Sequence, residues 1–373
     1  KIAVSCNIPT ERVISAPDIK SIYDVPVNFE KDHLGEILLK ALNLPVAKPD
    51  HTFKAWKKMA EGIKDNHERE IHIGVVGKYF NTGDFILSDA YLSVIEAIKF
   101  SAYAVNVKPV IHTVNARDFE GEHESEGEAS PSSARRSVSL LPLRSRRETL
   151  VAASTVETSP SNESSSTNEA SIYSTLDRFD GIIVPGGFGE SGIEGKLNVI
   201  RYARENKIPY LGLCYGMQLM TIEFARNVLG LKNAHTAEIN PKSPHLIIDI
   251  MPDQKKKIAE GNYGGSMRLG QYPAKLVKGT IAFEAYSKPT IHERHRHRYE
   301  VNPKYIERLE KGGLVFSGKS PDGILMEIAE LPRAGTKNSH PFFLGTQFHP
   351  EFTARPLAPH PLFTEFMKVA KKR

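Results

Sequence analysis

The sequence predicts an α/β fold, a doubly wound, mostly parallel sheet flanked by helices, preceded by a short segment that does not share its rhythm. Three observations carry this. Short apolar runs alternate with amphipathic stretches of helical period between Ile71 and Val228. Gly-rich turns directly follow two of those runs, at Pro185-Gly186-Gly187 and around Cys214. No apolar run reaches the ~18 residues of a membrane span; the richest, Tyr210 to Ile222, is interrupted by Gly212, Gly216 and Gln218.

The first segment, 1–65, reads as a short strand at Ile2-Ala3-Val4, a loop and a helical stretch, with Cys6 as a core residue. Pro45, Pro49 and the charged run from Lys64 to Glu70 follow like a linker. That segment is too small for a core of its own. A start at Lys1, without Met and straight into apolar residues, reads as a cut from a longer chain. The main domain is expected over 66–373. Ile71 to Val76 reads as a strand, then Asp89 to Phe100 as a helix with Ser88 as N-cap and Leu92, Ile95 and Ile98 at helical spacing. Lys108 to Val114, Gly181 to Val184 and Pro209 to Leu213 are further strands; Glu194 to Asn206 and Gly216 to Val228 are helices. The chain then turns β-rich to about Glu330 and closes with a helix near Leu362 to Val369. Between these, 121–171 is rich in Ser, Glu, Thr and Arg and reads as a disordered insertion, because it has too little apolar surface to offset chain entropy. Its Arg136-Ser137-Val138-Ser139 would suit a basophilic kinase, although an unmodified tether is the simpler reading.

Composition narrows the function classes. With 49 basic and 44 acidic residues in 373 and a net charge of +5, the balance does not by itself make a nucleic-acid binder. Two cysteines, Cys6 and Cys214, cannot build a disulfide framework, so a reducing, cytoplasmic setting is expected, without membrane or nucleic acid as partner.

The most informative segment runs from Ile208 to Gln218, an apolar strand entering Gly212-Leu213-Cys214-Tyr215-Gly216 and then a helix. A nucleophile on a sharp strand-to-helix turn needs a strained backbone, and the flanking glycines remove side chains that would clash. The helix start adds positive potential that favours a thiolate. A buried structural Cys is the plainer alternative. A second segment, Phe342 to Phe352, ends a strand in His349-Pro350-Glu351. Thiol chemistry needs a base and a group to orient it, and the rigid Pro lets the carboxylate approach the ring. A third, Asp180 to Gly192, contains Gly187-x-Gly189-x-x-Gly192 after a strand. It superficially matches a dinucleotide fingerprint, but the next strand delivers Cys214 instead of the expected acidic residue, so backbone N–H groups aimed at an oxyanion are preferred over NAD binding. In Glu293 to Asn302, Arg294, Arg296 and Arg298 alternate with His295 and His297; a basic face is favoured over a metal site including His292.

Pro185-Gly186-Gly187-Phe188-Gly189, Gly212 to Gln218 and Gln347 to Phe352 resemble the three signatures of class I (triad) glutamine amidotransferases. Val75 to Tyr79, Asp89 to Ala97, Gly264 to Gly270 and Glu293 to Asn302 resemble the CTP synthase family in particular, over nearly the whole chain outside 121–171. The resemblance implies Cys214 as nucleophile, His349 as acid/base and Glu351 as its orienter. It implies glutamine binding by Gly187, Tyr215, Gly216, Met217, Gln218, Glu238 and Arg298, with Gly187 and Tyr215 offering oxyanion amides. A zwitterionic substrate needs an acid for its ammonium and a donor for its carboxylate, which agrees. Segment 1–65 resembles the end of the synthetase (amidoligase) domain, with Lys1, Asp18 and Ile19 at nucleotide-contacting positions. No G-x-x-x-x-G-K-[ST] cradle occurs. The implied whole enzyme takes L-glutamine, UTP, ATP and Mg2+, is activated by GTP and forms a homotetramer; this portion needs no cofactor and no metal. Competing expectations are another triad amidotransferase with a different acceptor, a silent regulatory or filament module, and a cysteine hydrolase acting on peptides.

Overall fold

The computed structural model describes residues 1–46, 50–64, 69–77, 91–120, 141–142, 173–250 and 267–373. Ser88 and, apart from Leu141–Pro142, the expected insertion at 121–171 lie outside them. The chain divides into two compact units, Lys1–Glu68 with Pro356–Ala358, and Arg69–Arg355 with Pro359–Arg373.

In the small unit, Ile2–Ser5 is a helical turn and not the expected strand. The reason is local: Ser5 N–H donates to Lys1 O and Cys6 N–H to Ile2 O, both at 2.9 Å, so these backbone groups need no strand partner. Cys6 is exposed, correcting its reading as a core residue. Helices Val25–Lys31, Leu34–Ala41 and His51–Gly62 follow. The last is capped by Asp50, whose carboxylate accepts from Thr52 N and Phe53 N at 2.9 and 3.1 Å. The Trp56 indole donates to Tyr23 O at 2.8 Å, and the buried residues here are few: Tyr23, Asp24, Val27 and Ala60.

The large unit is built on one sheet with strands in the order β3-β2-β1-β4-β5-β13-β12-β11-β8-β9. Here β1 is Glu70–Gly77, β2 Lys108–Asn115, β3 Leu141–Pro142, β4 Gly181–Val184 and β5 Tyr210–Leu213. Further along the chain, β8 is Arg268–Leu276, β9 Thr290–His297, β11 Val315–Lys319, β12 Met326–Leu331 and β13 Phe343–Thr346. From β2 through β1, β4 and β5 to β13 every pairing is parallel. The β-rich remainder extends the same sheet antiparallel through β12, β11, β8 and β9. Three further short strands, β6 (His235–Thr236), β7 (Leu246–Ile250) and β10 (Tyr299–Val301), form a separate sheet.

Both faces of the large sheet are covered, as buried parallel strands require. One face packs against helices Ile193–Glu205, Tyr215–Asn227 and Pro303–Lys311, through residues such as Leu197, Phe224 and Leu309. The other packs against Leu92–Ala104, Ile281–Tyr286 and Pro361–Ala370, through Ile98, Ile281 and Phe366. The first helix of that group is described from Leu92, with Tyr91 at its N-cap, and its expected start at Asp89 lies outside the described residues. Because β4, β5 and β13 are neighbours and parallel, the loops after them open at one end of the sheet, where α/β proteins place ligands.

Candidate active site

Those three loops are the three segments singled out in the sequence. β5 ends at Leu213 and the helix starts at Tyr215, leaving Cys214 between them with φ 50° and ψ −96°. Positive φ is rare for a residue with a Cβ and stores strain, which here aims the thiol away from the sheet. The helix can start so abruptly because glycines let backbones touch. A Cβ on Gly216 would lie 2.2 Å from Val184 O, and one on Gly212 would lie 2.7 Å from Gly216 C. The buried Tyr210 hydroxyl locks the turn by donating to Gly216 O at 2.9 Å. Gly216→Ala should therefore push the helix start off β4. We expect a stability loss of about 3 kcal/mol or more, measured by urea unfolding; an alanine variant as stable as the native chain would contradict this packing account.

After β13, His349 Nδ1 and Glu351 Oε1 are 2.7 Å apart, both residues buried. The carboxylate fixes the ring through Nδ1 and leaves Nε2 for the sulfur. A Cβ on Gly186 would fall 2.8 Å from His349 Cε1 and 3.7 Å from Cys214 Cβ, so thiol and imidazole flank that glycine. Burial opposes a charged imidazole, but hydrogen bonding and attraction from Cys214 and then Glu351 outweigh it and push His349 up to about 10. Phe352 stacks on the ring, centroids 4.7 Å apart and planes 8° from parallel.

Cys214, His349, Glu351, Gly187, Tyr215, Gln218, Glu238 and Arg298 all line one cavity of about 450 Å³. Glu238 accepts from Gly189 N at 3.2 Å, which ties it to the Gly-rich loop. The Gln218 amide nitrogen donates to Tyr299 O at 3.0 Å and to Gln347 Oε1 at 3.3 Å. Gly216 and Met217 are not among the lining residues. Gly216 is pressed against β4, and Met217 is buried under β13, where a Cβ on Gly345 would sit 2.8 Å from its Cα. Lys1 and Asp18 are exposed and Ile19 half-buried, and the concavity of the small unit is lined by others, including Glu11, Asp32 and Lys40.

The His-Arg alternation is that of a strand, with His292, Arg294 and Arg296 exposed and His295 and His297 buried. The strand stops at His297, so Arg298 turns into the cavity. His295 Nδ1 and His297 Nε2 lie 2.9 Å apart beside Glu327 and Glu300, with Arg268 Nη1 2.7 Å from Glu327. Burial, then the Arg268 and His349 charges, lowers His295 to about 3. Among the described residues no group of His, Cys, Asp and Glu is arranged to hold a metal, and no helix is long and apolar enough to cross a membrane.

Sequence reasoning missed two features. Gln347, fully buried, places its amide nitrogen 3.8 Å from Cys214 Sγ. The main chain of β9 reaches the site as well: His349 N donates to Arg294 O at 2.8 Å, and Arg296 O lies 4.0 Å from Cys214 Sγ. Gln347 stood inside a quoted motif and was legible; a carbonyl contact leaves no trace in side-chain identity.

Two family profiles match the chain: glutamine amidotransferase class-I over residues 145–369 and CTP synthase N-terminus over residues 1–44. The CTP synthase of Caldanaerobacter subterraneus subsp. tengcongensis is 43% identical over 368 residues, 99% of this chain and 56% of that protein. That of Pyrococcus furiosus is 42% identical over 373 residues, 100% of this chain and 57% of that protein. The chain thus spans somewhat over half the length of these curated relatives. A solved structure of the Trypanosoma brucei CTPS glutaminase domain with bound acivicin is similar at 31% identity and a TM-score of 0.62, covering 81% of this chain and 94% of that one.

Proposed function

The chain belongs to the CTP synthase family, and from that membership we propose that it is the glutaminase portion of such an enzyme, hydrolysing L-glutamine through Cys214, His349 and Glu351. The ammonia would serve ATP-dependent amination of UTP to CTP in the whole protein. The observation that carries this reading is the 2.7 Å His349–Glu351 contact beside a thiol held at φ 50°, in a cavity shared with Glu238 and Arg298.

In the proposed mechanism the Cys214 thiolate attacks the carbonyl carbon of the γ-carboxamide of glutamine. The oxyanion forms against the amides of Gly187 and Tyr215, which cost no reorganisation at the moment of reaction. The tetrahedral adduct collapses as His349 gives its Nε2 proton to the leaving nitrogen, releasing ammonia and a γ-glutamyl thioester. His349, now neutral, takes a proton from water, whose oxygen attacks the thioester, and glutamate leaves with the thiolate restored. Glu351 holds the ring throughout. Glu238 is suited to the substrate's ammonium and Arg298 to its α-carboxylate.

In the same reading 1–65 is the end of the amidoligase domain and its linker, and 66–373 is the glutaminase domain. The whole enzyme takes ATP and Mg2+, responds to GTP and assembles as a homotetramer. No phosphate cradle of the G-x-x-x-x-G-K-[ST] type occurs in the chain, so a nucleotide would be held mainly by the rest of the whole enzyme.

The test is ammonia release from free L-glutamine, with γ-glutamyl and glutaminyl peptides as controls, together with acivicin labelling mapped by peptide mass. We expect release from the free amino acid alone and an adduct on Cys214. A chain that neither releases ammonia nor is labelled would overturn the reading.

A further inference from the structure

Gln347 belongs to neither the triad nor the set of residues assigned to the substrate, yet it is wholly buried between the nucleophile and the pocket floor. Its backbone N–H is anchored by Glu327 O at 2.8 Å, next to Thr346, whose carbonyl accepts from Cys214 N. Its side-chain nitrogen lies 3.8 Å from Cys214 Sγ and its side-chain oxygen accepts from Gln218 Nε2 at 3.3 Å. Which end of an amide points where is settled here by chemistry. Tyr299 O can only accept, so the Gln218 end 3.0 Å from it is the nitrogen. That nitrogen's second hydrogen goes to Gln347, which must present oxygen, and the end left toward the sulfur is NH2. The circuit closes through Gln218 N, which donates to Cys214 O at 3.2 Å.

We propose that Gln347 is a further residue of the glutaminase reaction, donating a hydrogen bond to the Cys214 sulfur that favours its anionic form and coupling that sulfur, through Gln218, to the floor of the glutamine pocket. A donor aimed at a sulfur stabilises the thiolate over the thiol. A donor fixed in a buried chain also keeps the sulfur from rotating out of line. The proposal rests on the glutaminase reading for its reaction, but its first test does not need glutamine.

The experiment is the pH dependence of carboxamidomethylation by iodoacetamide, with adducts at Cys214 and Cys6 quantified separately by peptide mass. Cys6 is exposed in the small unit and serves as an internal control. Gln347→Glu keeps shape and can still accept from Gln218 but puts a carboxyl group against the sulfur; Gln347→Met removes the amide at similar volume. The groups that face the sulfur across the cavity, His349 and Glu351 after β13, Arg296, His297 and Arg298 at the end of β9, and Tyr215 and Glu238, are unchanged in both. In either variant the Cys214 midpoint should move up by about one pH unit, a roughly tenfold slower reaction below it, while Cys6 is unmoved. Loss of glutaminase kcat should follow, and Gln347→Met should raise KM as well because Gln218 loses one of its two acceptors and keeps only Tyr299 O. If one variant fails to fold, the other decides. A Cys214 midpoint within about 0.3 units of native in a folded variant overturns the proposal. A moved midpoint in a chain that does not hydrolyse glutamine upholds the sulfur contact and defeats the glutaminase reading instead.

Discussion

Cys214→Ala should reduce glutamine-dependent ammonia release by about 10⁴-fold or more, to the level of uncatalysed hydrolysis in the assay, because Cys214 is the only thiol among the described residues that line the cavity. Cys214→Ser should be nearly as inactive, since an alcohol at this position is a far poorer nucleophile at neutral pH. A companion measurement separates chemistry from backbone. Position 214 has φ 50° whatever residue with a Cβ occupies it, so Cys214→Ala keeps the strain, whereas Cys214→Gly relieves it. The glycine variant should be as inactive as alanine but more stable by roughly 1 kcal/mol, read from urea midpoints. Residual activity within tenfold of native in Cys214→Ala would remove the thiol from the mechanism.

Glu351→Gln should lower kcat by about 10²- to 10⁴-fold with little change in KM, because the amide can face His349 Nδ1 with the wrong group and favour the wrong tautomer. The pH dependence gives a second readout. His349 is pushed up to about 10, by Cys214 first and Glu351 next, against burial. An imidazole with a raised value stays protonated further into alkali, so the native alkaline limb of kcat belongs near that pH. Removing the Glu351 charge lowers the value, and the limb should move to lower pH. The linkage sign follows. A group raised on folding contributes its full stability below its unfolded value near 6.5, and the contribution fades as pH rises toward 10. The stability difference between native and Glu351→Gln chains should therefore be largest in the acid part of that window. An unmoved alkaline limb in Glu351→Gln would show that Glu351 does not act through His349.

The site was legible to the extent that it is written in residue type and close spacing. Gly212, Cys214 and Gly216 announced the turn, because only small residues let the helix start touch β4, and a Cβ at 216 would overlap Val184 O. His349 and Glu351 are two apart, so their contact needs only local geometry. The resemblance of 216 and 217 to substrate-binding positions did not say which way those residues face; both are directed into packing rather than into the cavity. Ile2-Ala3-Val4 looked like a strand because it is apolar and two of its three residues, Ile2 and Val4, are β-branched, and a strand without a partner gave way to a helical turn with local hydrogen bonds.

By itself the sequence determined the alternation of strands and helices and pointed to Cys214 and His349 as the proposed nucleophile and base, since each depends on short-range pattern and on chemistry that few residue types can supply. Only the tertiary structure decided that β13, formed some 130 residues after Cys214, lies beside β5, and that β9 lends its carbonyls to the same site. It also decided that Gln347 is turned toward the sulfur by the carbonyl of Tyr299. Strand order and the direction of a buried amide are fixed by which backbone groups remain to be satisfied once the sheet has assembled, a global condition that no local stretch of residues contains.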